Sequence, residues 1–273
     1  MLSLVNKQHF PQNIASKFSN ILINKTYNSN GLGYIPWDFV TMLIFETLSS
    51  GFDITDKMLG VEVAVFMAIY MKEYLKVSEV INWQDSEIMK RAKQIASEYK
   101  TRMKIAKASF EWVRDEIFHS VDYQMNPVTW RASDVLKHKT GYCYAKSHLL
   151  AALLRANQIP TGFCYQRLSI DDNGAPYSLH GFNAIYLPKI GWYRVDARGN
   201  KEGVDAQFLP PQERLAFKIQ FAEEADFQTI LAEPLSIVIE ALRSQVTWDE
   251  MLRNLPDISL ESAKNKGLKV NLN

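Results

Sequence analysis

The sequence predicts an α+β fold, in which one long apolar helix lies on an antiparallel sheet and helical extensions flank both. Two observations predict it. The stretch from Cys143 to Ala156 is rich in Ala and Leu and free of Gly and Pro, with Leu149, Leu150, Leu153 and Leu154 as a buried stripe. Three strand-like segments follow, Gly162–Leu168, Leu179–Leu187 and Trp192–Asp196, joined by the turns Asp171–Pro176 and Pro188–Gly191. A parallel crossover needs roughly a dozen residues or more, so strands joined this closely pair antiparallel.

The other elements are read in chain order. Residues 1 to about 80 form a helical N-terminal extension without evident chemistry, and Met58–Val77 within it is apolar on more than one face. Asn28–Gly33 is a loop, too short a glycine pattern for a nucleotide-binding turn. Between residues 85 and 119, Ile88, Ala92, Ile95, Ala96 and Tyr99, then Ile105, Ala106, Phe110, Val113 and Ile117, recur at helical spacing. Asn126-Pro127 breaks that pattern, and Ser133-Asp134 is placed to cap a short helix ending near Lys139–Gly141. Asn157 and Pro160 close the long helix. Helices are expected to resume near Pro211 and over Pro234–Arg243, and Thr247 with Glu250 has capping-box spacing. Asn265–Asn273 is expected to be a loose polar tail. The implied division is an extension over 1–80, a core over 81–235 and C-terminal helices with a tail over 236–273.

Composition narrows the function classes. Lys plus Arg is 31 and Asp plus Glu 30, a net charge of +1 that supplies no argument for nucleic acid or an acidic membrane surface. Two cysteines, Cys143 and Cys164, do not make a secreted disulfide framework, so Asn24-Lys25-Thr26 reads as an accident of spacing. Leu59–Met71, the most apolar window, contains Glu62 and is shorter than the roughly 20 residues of a membrane span. With no signal-peptide pattern at Met1–Lys7, a soluble cytoplasmic protein with no membrane partner is expected. HExxH, P-loop and CxxC patterns are absent, so no metal or other cofactor is implied.

The candidate chemistry centres on Cys143. At a helix start, free backbone N–H groups and the partial positive charge favour a thiolate and can hold an oxyanion. A small residue filling a helix–sheet contact is the ordinary reading of an isolated Cys. His180 near the start of the second strand and Asp196 at the end of the third change that reading, because an antiparallel pairing brings them toward one end of a hairpin. Cys164 reads as core. His148, five residues past Cys143, is turned away from the thiol and reads as a packing or surface residue. Asn183 points to the opposite strand face from His180. Among Gln166, Arg167, Arg194 and Arg198, a substrate contact competes with fold-supporting ion pairs. The Asp196–Lys201 loop has no derivable purpose.

The ordered set Gly141-Tyr142-Cys143, Leu153-Leu154-Arg155-Ala156-Asn157-Gln158-Ile159-Pro160, His180-Gly181 and Gly191-Trp192-Tyr193-Arg194-Val195-Asp196 resembles the transglutaminase-like superfamily over roughly residues 85–235. That resemblance implies a papain-like core, thioester chemistry, and Cys143, His180 and Asp196 as nucleophile, general base and orienting carboxylate. Trp130 is matched to the tryptophan that helps stabilise the oxyanion, and Tyr142 and Gln166 join it as candidate oxyanion or substrate-binding residues. Tyr144 departs from the Trp that follows the nucleophile in animal transglutaminases. The leading expectation is a cysteine-dependent amide hydrolase acting on a peptide, protein or small amide. Acyl transfer to an amine and a non-catalytic binding protein are the alternatives.

Overall fold

Side-chain caps divide the helical stretch at the start of the core. Asp85 accepts from the N–H groups of Glu87 (2.9 Å) and Ile88 (3.2 Å) to open α1 (Ser86–Ser97), and Thr101 accepts from Lys104 (3.3 Å) to open α2 (Arg102–Glu116). Ile88, Ala92, Ile95, Ala106, Phe110, Val113 and Ile117 are buried as the spacing predicts, whereas Tyr99 falls in the break between the helices and is exposed. The structure, a computed structural model, describes residues 70–271, which belong to one compact unit beginning at Tyr70. The expectations for residues 1–69 lie outside the described residues.

After α2 come β1 (Phe118–His119), α3 (Ser120–Tyr123), α4 (Ala132–His138) and β2 (Thr140–Gly141). Neither Ser133 nor Asp134 caps α4. The helix starts at Ala132, and Asn82, remote in sequence, accepts from the Ser133 N–H (3.1 Å), a tertiary partner doing what a local cap was expected to do. β1 and β2 run parallel, with His119 opposite Gly141. The helix α5 (Cys143–Ala156) follows directly, with the bounds expected for it.

The sheet has the order β5-β4-β3-β8-β9 and is antiparallel throughout. Its first three members are β3 (Thr161–Ser169), β4 (Tyr177–Leu187) and β5 (Gly191–Val195), within two residues of the expected strands. The helix expected near Pro211 is not there. That region forms a hairpin, β6 (Gln207–Leu209) with β7 (Gln212–Arg214), and then β8 (Ala225–Leu231). Ala225 and Phe227 alternate inward, a two-residue signal too short to read without the neighbouring strand. The chain continues as α6 (Ser236–Ser244), α7 (Trp248–Arg253), α8 (Leu260–Asn265) and β9 (Val270–Asn271). Thr247 and Glu250 complete both halves of the capping box at α7. The expected loose tail is instead tied down: Leu268 is buried, Gln228 donates to the Lys269 carbonyl (2.7 Å), and β9 pairs with β8.

α5 packs between the sheet and α1, α2 and α4, which explains why it is buried nearly all round rather than along one stripe. Its polar residues are consequently bonded inside. Lys146 donates to the Arg114 (3.2 Å) and Ile117 carbonyls at the C-terminal end of α2, where an ammonium suits the helix dipole. Burial pulls that ammonium down to about 7. Arg155 reaches the carbonyls of Lys76 (2.7 Å), Thr161 (2.9 and 3.2 Å) and Ala232.

Candidate active site

Cys143 is the first residue of α5 and is 8% exposed. Tyr142 occupies the cap position without a side-chain hydrogen bond to the first turn, so no side chain competes for the N–H groups there. The close approach of helix and sheet at this point depends on Gly181. A Cβ added there would meet Tyr144 Cδ1 at 2.8 Å and Tyr165 Cε1 at 3.3 Å. Tyr144, next to Cys143, also donates its hydroxyl to the Leu179 carbonyl, fastening the first turn of α5 to β4 on both sides of His180.

His180 and Asp196 are not cross-strand partners. The last pair between β4 and β5 is Asn183 with Val195, and the chain leaves the sheet one residue later. Asp196 swings in to accept from His180 Nε2 at 2.7 Å, and both are buried. Its remaining oxygen capacity is filled by the N–H groups of Arg198 (3.1 Å) and Ala216 (3.1 Å). Burial opposes the Asp196 charge, but His180 and these hydrogen bonds prevail and hold the carboxyl below its ordinary value. For His180 burial likewise disfavours charge, yet the Asp196 carboxylate and the nearby Cys143 push the ring up to about 10. With Nε2 engaged by Asp196, Nδ1 is the ring nitrogen left for the sulfur. Phe217 sets its edge against the imidazole (ring centroids 4.9 Å, interplanar 88°), shielding it from water.

Residues 89–197 match the family described as the transglutaminase-like superfamily. Over that span the chain is similar to transglutaminase-like proteins. No curated protein matches it. Among solved structures it is similar to a candidate cysteine protease from Cytophaga hutchinsonii (22% identity, 47% of this chain and 42% of that one, TM-score 0.38). It is also similar to the periplasmic domain of TgpA from Pseudomonas aeruginosa (19% identity, 46% of each chain, TM-score 0.35) and to a TGase (12% identity, 74% and 42%, TM-score 0.31). The chain spans less than half the length of each.

The other expected site residues have varied surroundings. Trp130 follows Thr129, whose hydroxyl donates to the Thr140 carbonyl beside the nucleophile, but its ring lies against the guanidinium groups of Arg131 (4.1 Å) and Arg243 (4.6 Å). The Tyr142 hydroxyl is committed to the Trp248 carbonyl. Gln166 stands opposite His180 in the β3–β4 register and is buried. Asn183 donates to the Ser147 (3.1 Å) and Gly162 (3.2 Å) carbonyls on the helix side of the sheet. His148 is buried and donates from Nδ1 to the Trp130 carbonyl (2.8 Å), so the surface alternative does not hold. Arg167, Arg194 and Arg198 are all paired, with Asp257, with Glu213 and Asp226, and with Asp122.

The Asp196–Lys201 loop acquires a purpose. Arg198 (2.5 and 3.0 Å) and Lys201 (2.8 Å) converge on Asp122 of α3 and lock the loop that presents Asp196. Burial disfavours the Asp122 charge, but these two cations hold its carboxyl down to about 2. His119, which sequence reasoning missed, is buried beside this network with Nδ1 3.7 Å from Asp122, and burial together with Arg198 keeps it neutral, well below an ordinary imidazole. Nothing local marks His119 or Asp122 as near the site; they arrive there through the parallel β1–β2 pairing. Among the described residues no group of three or more His, Cys, Asp or Glu side chains could hold a metal ion.

Proposed function

We propose that this domain is a cysteine-dependent amide hydrolase working through Cys143, His180 and Asp196. The observation that carries the reading is the buried 2.7 Å contact of His180 with Asp196 beside a cysteine at a helix N-terminus, with the imidazole pushed up to about 10. An imidazole so favoured in its charged form keeps the proton of the Cys143 thiol and leaves a thiolate. The thiolate attacks the amide carbon, and the carbonyl oxygen takes the displaced electron pair facing the N–H groups that open α5. Collapse of the tetrahedral adduct breaks the C–N bond, and His180 passes its proton to the departing amine. The thioester that remains is attacked by water, from which the now neutral His180 removes a proton. Carboxylic acid and thiol are released. Water needs no dedicated binding site, which favours hydrolysis over transfer to an amine.

The two cysteines supply an internal test. Burial pushes the Cys164 thiol up to about 12, so it serves as an unreactive reference. Iodoacetamide near neutral pH is expected to label Cys143 at least about 10²-fold faster than Cys164. Equal, slow labelling of both would remove the basis of the proposal. Incubation with glutaminyl peptide and a labelled primary amine separates the outcomes of acylation, because ammonia release without incorporation identifies water as the acceptor.

A further inference from the structure

Gln166 is 3% exposed, yet its side-chain amide makes no hydrogen bond among the described residues, and Oε1 is buried without a partner. An unpaired buried amide is costly, and buried polar side chains are otherwise satisfied as a rule. The neighbours make the omission sharper. On the same sheet face Gln166 lies between its register partners His180 on β4 and Asp226 on β8, and Asp226 is taken by Arg194 (2.7 and 2.8 Å) instead. A Met of nearly the same shape would fill the space without that cost. The amide therefore stands ready for a ligand beside the imidazole.

Its chemistry narrows what that ligand is. A carboxamide offers an acceptor oxygen and N–H donors in one plane, so its best complement both donates and accepts in one plane. A carboxylate or phosphate only accepts and an ammonium only donates. Another amide does both.

We propose that Gln166 is a specificity-determining residue that hydrogen-bonds a chain amide of the acyl group bound beside His180, so that the domain takes peptide-type acyl donors in preference to simple ones. The proposal rests on the thiol-hydrolase reading and refines its substrate class. It is tested with Gln166→Met and two activated esters, N-acetylglycine p-nitrophenyl ester, which carries such an amide, and p-nitrophenyl acetate, which lacks it. Wild-type protein should be acylated faster by the first. In the variant that preference should fall about 10-fold, while the acetate rate and iodoacetamide labelling of Cys143 stay within about twofold. Relief of the unpaired amide should also raise the melting temperature of the free protein by about 2–4 °C. An unchanged preference, no preference in the wild type, a lowered melting temperature, or equal slowing with both esters would each overturn the assignment. Failure of the underlying reading looks different: wild-type Cys143 would then react no faster than Cys164 with iodoacetamide and with neither ester.

Discussion

Replacing Asp196 by Asn removes a charge while keeping the shape of the side chain. His180 stands at about 10 against an ordinary 6.5, and after burial, which pulls it down, Asp196 is the largest influence on it. The difference is worth roughly 5 kcal/mol in favour of the imidazolium. Asp196 is the largest upward influence, ahead of Cys143, so its loss should shift the balance between the thiolate–imidazolium pair and its neutral form by on the order of 10²-fold. The assay is the second-order rate of iodoacetamide labelling at the Cys143 peptide, followed by mass spectrometry across a pH series. Wild-type protein should label readily on the acid side of neutrality. Asp196→Asn should be slower by about 10² near pH 6. Cys164 unlabelled in both proteins shows that the variant is folded, since that thiol is accessible only if the sheet opens. A folded variant with wild-type rate and pH profile would refute the reasoning, because the carboxylate would then not be what holds the proton on His180.

Three further outcomes are expected. Gly181→Ala forces a Cβ into Tyr144, so it should cost about 1–3 kcal/mol in urea unfolding and slow Cys143 labelling as the first turn of α5 moves off β4. Arg155→Met strips a partner from the backbone carbonyls of Lys76, Thr161 and Ala232 and should destabilise by about 3 kcal/mol or more, with the labelling ratio of Cys143 to Cys164 unchanged at low denaturant. His148 is buried neutral at about 4, below its unfolded value of about 6.5, so the unfolded state takes the proton first as pH falls. The His148 contribution to stability should be full above about pH 6.5 and fall by about 2 kcal/mol by pH 5, and His148→Asn, which can keep the bond to Trp130, should lessen the slope of the urea-midpoint profile in that window.

Elements with strong local signals were legible from the chain alone. α5, α6, the α7 capping box and β3 to β5 all lie within a few residues of where composition and periodicity put them, because each carries its own pattern of apolar residues, caps or turns. The strands β8 and β9 were not legible. β9 is a two-residue segment in a polar tail, and it pairs only because β8 presents an edge to it. The α4 start was misread for a related reason, since Asn82 does the capping from a distance. For the site, residue types and order singled out Cys143, His180 and Asp196, but not Phe217 against the imidazole, the Ala216 N–H on Asp196, or the Asp122 anchor.

Sequence by itself determined the parts of this protein that depend on near neighbours: a thiol at the tip of an apolar helix, a His on one strand with an Asp just past the end of the next, and a chain with nearly balanced charge. Only the tertiary structure decided how the imidazole and the carboxylate meet. The register runs out at Val195, one residue before the carboxylate, and the loop beyond it is pulled across by Arg198 and Lys201 to a helix more than seventy residues upstream. Hydrogen-bond distances between groups so far apart in the chain are set by packing and ion pairs that no local pattern encodes. The same holds for the unpaired amide of Gln166, which is an ordinary strand glutamine in the sequence and an anomaly only once its neighbours are known.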